Sequence, residues 1–451
     1  MIDLKDLRER PDVYKKNIEK KEKHHLTVKN SGLVSSLLTV DEKWRNLKKQ
    51  ADDLRAERNS VSEAINQAKK HGDEQKAKQL ILRAQEIPEK LKKLEELEAE
   101  ASAEVSFFLK EIPNLMHKDV PKGQSDKDNK VRKTVGSKTK FKFPAKTHVE
   151  LIESLNLGEF DASGEVAGNG FYYLKNDLAL LNRALINFAI DTMLSKGYTY
   201  IEPPLMENKK VAAAAGDLDA FKNALYKIEG EDLYLIPTAE HAILGMLANK
   251  TISEEKLPLK FFGYSMSFRR EIGSHGINEK GLWRTHQFNK VEQFIFCKPK
   301  DSWKYYDELR KNAEEIMKKL KLPYRTLEIC SGDLGIWKAR SEDIEVWRPT
   351  IKAYGEVGSL SNCTDFQARD LNIRGLSSKG ERYVLHTLNN TALATSRIMV
   401  AILENYQQKD GSVKIPLVLQ KYMNGKRVIE AKKPEAKKKV SKNSKKTHKK
   451  K

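Results

Sequence analysis

Residues 261–297 read FFGYSMSFRREIGSHGINEKGLWRTHQFNKVEQFIFC. Phe262, Tyr264, Met266 and Phe268 alternate with Ser265, Ser267, Arg269 and Glu271, the period-two pattern of a strand with one apolar and one polar face. Gly273, Gly276 and Gly281 interrupt it, and a second strand-like run spans His286–Phe296. The two runs predict an antiparallel hairpin around a long polar loop. On the return run Phe288 and Glu292 share a face, and Glu292, flanked by Val291, Phe294 and Ile295, needs a cationic partner. Spacing alone also admits a half-exposed hairpin with a structural Arg–Glu pair, although loops of this length are usually functional or disordered.

The 451-residue chain has room for two or three domains and a large core. A charged fraction of 32% and a mean hydropathy of −0.64 predict a well-hydrated protein. No apolar run approaches the roughly 18 residues of a membrane span, and MIDLKDLRER lacks the apolar centre of a signal peptide. No membrane partner and a cytoplasmic location are expected. Cys297, Cys330 and Cys363 are too few and too scattered for a disulfide framework or a CxxC zinc site. The net charge of +20 is concentrated at one end, because residues 432–451 hold 11 Lys against one Glu. Residues 426–451 are read as a disordered, Lys-rich tail that binds polyanions loosely or merely solubilises.

Upstream, Val40, Trp44, Leu47, Ala51, Leu54, Arg58, Val61, Ile65 and Ala68 follow alternating steps of four and three, a heptad seam with one polar interruption. His71-Gly72-Asp73 breaks it. A second seam runs from Ala77 through Leu91 to Phe108, with Pro88 expected to kink it. Two such seams predict an antiparallel helical hairpin that projects from the body. It is not basic overall, so an RNA contact would come from a local stripe such as Arg45, Lys48, Lys49 and Arg55, for which a solvated face is the default reading.

Phe268-Arg269-x-Glu271 followed by Gly281-Leu-x-Arg284-x-His286-Gln287-Phe288-x-Lys290-Val-Glu292 resembles motif 2 of the class II aminoacyl-tRNA synthetases, in particular the seryl type. Gly197 to Pro204 resembles motif 1, and His386-x-Leu-Asn389-x-Thr391-x-Leu-Ala-x-x-Arg397 resembles motif 3. The resemblance covers nearly the whole chain to about Met423. It implies an α+β fold: a class II synthetase antiparallel sheet flanked by helices, with an N-terminal antiparallel helical hairpin as tRNA-binding arm. The expected domains are the arm (1–117), a linker (118–146), the catalytic domain (147–425) and the tail (426–451).

The resemblance further implies a serine–tRNA ligase that activates L-serine with ATP and Mg²⁺ and charges tRNA(Ser), with tRNA(Sec) an open second acceptor, as a homodimer. Arg269 and Arg397 are the expected catalytic residues. Thr238, Ala239, Glu240, Arg269, Glu292, Asn389 and Thr391 are expected to line the serine pocket, Glu292 on the ammonium and Arg269 on the carboxylate. Without the family, Thr238 reads equally as an N-cap with Glu240 in the first turn. The ATP residues are expected to be Arg269, Arg270, Glu271, Arg284, Thr285, His286, Gln287, Phe288, Glu356, Val357, Gly358, Ser359 and Arg397, with Phe288 and Arg397 sandwiching the adenine. Glu356 and Ser359 are the implied Mg²⁺ ligands, since oxygen donors suit that hard ion.

Departures from the family pattern fall at Ile277, Asn278, Glu279, Lys280, Gly355, Gly358 and Asp370. His275 is read as a loop or tRNA contact. A catalytically silent paralogue that binds RNA is the competing reading, and a coiled-coil assembly protein a third. The intact set Arg269, Glu292, Glu356 and Arg397 counts against the former, since RNA binding has no use for all four.

Overall fold

The computed structural model describes residues 1–21, 32–216, 224–271 and 280–431. Two short helices, α1 (Leu4–Glu9) and α2 (Pro11–Lys21), precede the long α3 (Gly32–Lys70) and α4 (Glu74–Glu111). Asp3 caps α1, its Oδ1 accepting from Lys5 N at 2.9 Å, and Pro11 opens α2, where its missing N–H is no loss. Gly72, at φ 71°, makes the turn between α3 and α4, and Asp73 caps α4 by accepting from Lys76 N.

At about 1.5 Å per residue each long helix extends almost 60 Å. Ala51, Val61 and Ala68 are buried along α3, and Ala77, Ile87, Leu91, Ala101 and Val105 along α4. The expected seam therefore forms, but Arg58 turns outward, and α4 continues through Pro88. The ion pairs Arg55–Glu95 and Arg83–Glu57 cross the hairpin at exposed positions, where each contributes only about 0.2–1 kcal/mol. The apolar seam carries the arm. At its base Leu7, Leu33, Leu37, Val105 and Ile112 pack together with Phe366 of the body. Asn114 fixes the junction, its Nδ2 donating to Cys363 O at 2.7 Å and Trp337 O at 3.0 Å.

The body is built on eight strands: β1 (Lys130–Val135), β2 (Thr199–Ile201), β3 (Leu259–Phe268), β4 (Gln287–Cys297), β5 (Tyr324–Glu328), β6 (Arg340–Arg348), β7 (Ala353–Thr364) and β8 (His386–Ala394). Their order is β1-β5-β6-β7-β8-β4-β3-β2, antiparallel except where the motif 1 strand β2 lies parallel to β3. Further helices include α5 (His148–Ser154), α6 (Asn176–Leu194), α7 (Ala239–Met246), α8 (Ser302–Lys319) and α9 (Thr395–Tyr406). One sheet face is covered by α6, α8 and α9, which bury Leu181, Leu185, Tyr306, Leu309, Ile398 and Ile402 against Val291 and Ile295. On the other face α7 places Ile243 and Leu244 against Phe294 and Phe296. The alternation of β4 thus serves two cores.

Two expectations about extent are corrected. Residues 118–146 are more than a linker, because Lys130–Val135 pairs with β5 as the edge of the main sheet. The strand was hidden by its charged, almost fully exposed side chains, an arrangement typical of edges. The tail begins later than residue 426, since Val428–Ile429 pairs with Val413–Lys414 and Ile429 is buried. Residues 432–451, His275 and Ile277 to Glu279 lie outside the described residues.

Candidate active site

A cavity of about 380 Å³ opens on the sheet face opposite α6, α8 and α9. The polar face of β3 does not meet solvent along the strand. Ser265 and Ser267 are buried, whereas Met266 on the supposed apolar face is 37% exposed. Arg269 and Glu271 extend this face beyond the strand, and β4 contributes Phe288, Lys290 and Glu292 by strict alternation. Glu271 adopts φ 50°, the left-handed region, and accepts from Arg284 Nη1 at 2.8 Å. The Arg269 guanidinium lies 5.3 Å from the Phe288 ring centre. Burial lowers its pKa, opposed chiefly by Glu271, and a guanidinium stays charged regardless.

Deeper in, Lys290 Nζ sits 2.9 Å from Glu292 Oε2, which also accepts from Thr391 Oγ1 at 3.2 Å. Burial pushes the Glu292 carboxyl up and the Lys290 ammonium down, and each opposes the other's shift. The cationic partner expected for Glu292 is thus Lys290, two residues back on the same face. A carboxylate offers about four lone-pair sites, so Glu292 retains acceptor capacity toward the cavity. Thr238 caps α7, accepting from Glu240 N at 3.3 Å. Glu240 Oε1 accepts from Gln367 Nε2 and Asn389 Nδ2, both at 3.0 Å. Asn389 and Thr391 therefore hold carboxylates in place.

Two β-bulges set the remaining wall. In β7 the register slips beside Ile344, leaving Val357 without a partner, which brings Glu356 and Ser359 to one face although they are three residues apart. A second slip, at Ala392 in β8, does the same for Thr391 and Ala394. Asp343 stands opposite Ser359 and is hydrogen bonded to it. Burial and the neighbouring Glu356 carboxylate push Asp343 up to about 7. Burial also acts to raise Glu356, but Arg397, Arg269 and Lys338 outweigh it and hold Glu356 below the usual range. Arg397, in the first turn of α9, donates through Nη1 to Glu356 O at 2.9 Å and Oε2 at 3.1 Å.

Of the residues expected to contact ligands, four turn elsewhere. Ala239 is fully buried beneath Gly263, where a Cβ would come within 2.9 Å of its own. Arg270 is exposed, its N–H bonding Ala224 O. His286 stacks on Phe171 and donates Nδ1–H to Arg269 O at 2.9 Å, bracing the hairpin. Gln287 falls on the odd-numbered face of β4 and reaches Met266 Sδ. Thr238, Glu240, Arg269, Glu271, Arg284, Thr285, Phe288, Glu292, Glu356, Val357, Gly358, Ser359, Asn389, Thr391 and Arg397 all line the cavity. Lys290 and Asp343 are additions. Lys290 follows from the alternation that exposes Glu292, whereas only the β6–β7 register reveals Asp343.

Three departures find local reasons. Lys280 pairs with Asp161 at 2.8 Å and Glu153 at 3.1 Å. Asp370 faces Lys110 of the arm at 3.3 Å. A Cβ on Gly358 would meet Thr391 Cβ at 3.2 Å.

The model of the tRNA synthetase class II core domain (G, H, P, S and T) matches residues 224–406, and that of the seryl-tRNA synthetase N-terminal domain matches residues 1–116. A serine–tRNA ligase of Methanospirillum hungatei is 44% identical over 431 residues, covering 95% of this chain and 100% of that protein. Another, from Pyrococcus abyssi, is 40% identical over 457 residues, covering 96% and 99%. The crystal structure of seryl-tRNA synthetase from Pyrococcus horikoshii complexed with ATP superposes with a TM-score of 0.88 at 38% identity, over 96% of this chain and 100% of that one. The cytoplasmic serine–tRNA ligase from Naegleria fowleri, in complex with AMP, gives 0.81 at 32% identity, over 94% and 96%.

Proposed function

This chain belongs to the seryl-tRNA synthetase family, and from that premise we propose how its cavity performs the family's reaction. It is a serine–tRNA ligase: the serine carboxylate attacks the α-phosphorus of ATP, pyrophosphate leaves, and the seryl group of the adenylate passes to the 3′ end of tRNA(Ser), releasing AMP. The observation that carries the assignment of roles is the convergence of Arg269, Glu292, Glu356 and Arg397 on one cavity.

Glu292 accepts the serine ammonium beside Lys290, and the small polar groups of Thr238, Asn389 and Thr391 surround the hydroxyl. A site that hydrogen bonds a substrate hydroxyl rejects the analogue lacking it by roughly 10⁴-fold or more. Arg269 bridges the serine carboxylate and the α-phosphate, because its planar fork offers several fixed donors. Bringing two anions into line while offsetting the charge at phosphorus is the main catalytic task. Glu271 addresses the adenine amino group, Phe288 and Arg397 take its two faces, and Arg284 serves the polyphosphate. No general base is needed, since the attacking carboxylate is already ionised.

Glu356, Ser359 and Asp343 form an oxygen donor set that fits Mg²⁺, which characteristically uses one or two carboxylates together with substrate phosphates. When bound, the ion neutralises phosphate charge. The arm, residues 1–117, is assigned to tRNA, and the body, from edge strand β1 to the Val428–Ile429 pairing, to catalysis. Exposed Leu194, Leu205 and Met206 flank β2 and support a homodimer formed through the motif 1 strand. Free, buried Cys297, Cys330 and Cys363 suit the cytoplasm. Charging assays with serine and unfractionated tRNA test the whole reading: seryl-tRNA(Ser) is the expected product, and its absence from folded protein would overturn it. Glu356→Ala is expected to raise the Mg²⁺ concentration needed for half-maximal rate; an unchanged requirement would remove Glu356 from the metal site.

A further inference from the structure

Trp283 lines the cavity at the end of the motif 2 loop, and two guanidinium groups address its ring. The Arg348 carbon lies 4.2 Å from the ring centre and the Arg397 carbon 5.6 Å. Arg397 also donates Nε–H to the Trp283 carbonyl at 3.3 Å. Arg348 is buried, and both of its bonds to Glu404, Nη2 to Oε1 at 2.8 Å and Nε to Oε2 at 3.3 Å, anchor it to α9, the helix that carries Arg397. The indole edge occupies the space above Gly355. A Cβ built there would lie 2.8 Å from Trp283 Cη2 and nearer still to Cζ2. Gly355 is the position immediately before Glu356 that departs from the family pattern.

We propose that Trp283 is a positioning residue that holds Arg397 over the nucleotide site, and that Gly355 is a glycine because the indole needs its space. The two positions act as one unit: a side chain at 355 and the indole at 283 exclude each other, while Arg348 supplies the cation that backs the ring. The inference rests on the reading that Arg397 covers the adenine, so ATP affinity is the quantity it governs.

The test is serine-dependent ATP–pyrophosphate exchange on the full chain, with KM for ATP and for serine and kcat measured separately and thermal midpoints recorded. Trp283→Leu keeps the backbone carbonyl and removes the ring. It is expected to raise KM for ATP about tenfold, the scale of one desolvated cation–π contact, while KM for serine stays within about twofold. Trp283→Phe, which keeps a weaker aromatic face, is expected to fall between. Gly355→Ala is expected to reproduce the ATP effect, and Gly355→Ala combined with Trp283→Leu to be no worse than Trp283→Leu alone. Independent, multiplying effects of the two substitutions would overturn the unit. Arg397→Leu is the control. If it raises KM for ATP and Trp283→Leu does not, the positioning role fails while the nucleotide reading stands. If neither moves it, the assignment of Arg397 fails and the proposal with it.

Discussion

In the proposed mechanism Arg269 is the residue on which both substrates converge, and its setting holds its guanidinium at the cavity wall. It sits above Phe288, its Nε 3.4 Å from Pro237 O, with Glu271 and Glu356 nearby to offset its burial. Arg269→Ala is expected to lower the exchange rate by at least about 10²–10³, the usual loss for one preorganised donor at a developing charge, with the thermal midpoint little changed. A residual rate within tenfold of the native one would remove Arg269 from its central role. Lys290 makes a different case. It partners a buried carboxylate, so Lys290→Met leaves Glu292 uncompensated and is expected to destabilise the fold by about 3–5 kcal/mol, measured by denaturant unfolding. At this scale the sequence was most legible where alternation works: Arg269, Phe288 and Glu292 all face the cavity as period two requires. It misled at Gln287 and His286, which belong to the same motif but point to the other face or brace the backbone.

Among the elements, the bulged strands and the α5–α9 contact determine how well the site holds its shape. The register slips at Val357 and Ala392 put Glu356, Ser359 and Thr391 on the cavity wall, and no spacing in the sequence announces them. Edge strand β1 was missed for a related reason, since a charged, exposed strand carries no apolar alternation. Behind the site Leu282 N donates to His148 Nε2 at 3.2 Å, so the His148 proton lies on Nδ1 and is donated to Glu404 Oε1 at 3.1 Å. Arg348 and Thr350 complete the shell of this fully buried carboxylate. Burial raises the Glu404 pKa, but His148 and Arg348 outweigh it and depress the folded-state value. Its stabilising contribution is therefore present above the ordinary carboxylate range and is lost as pH falls through the depressed value. Glu404→Gln is expected to lower stability at neutral pH and to flatten the loss of stability below about pH 4, measured as thermal midpoint against pH. A parallel, merely shifted curve would contradict the assignment.

For the whole molecule, labour in the proposed function is divided between the arm and the body. Helical periodicity made α3 and α4 legible, and the stripe of Arg45, Lys48, Lys49 and Arg55 stays at the surface, partly engaged by its own neighbours. Arg55 is held by Asp52 and Glu95, Arg45 by Asp41, and Lys48 lies 5.6 Å over the Trp44 ring. Because the arm's base is packed against Phe366, the informative deletion spares it. Removing residues 52–97 and closing the helices with a short Gly-containing turn is expected to leave adenylate formation within about threefold of native, since the cavity is untouched, and to reduce tRNA charging by at least about tenfold. Undiminished charging would refute the arm's role. The central claim, that this cavity joins serine to ATP, is met most directly by amino-acid-dependent ATP–pyrophosphate exchange with all twenty amino acids on the full-length protein. Exchange with serine alone, dependent on Mg²⁺, is the predicted result. Folded protein that exchanges with no amino acid, or with another in preference to serine, would contradict it.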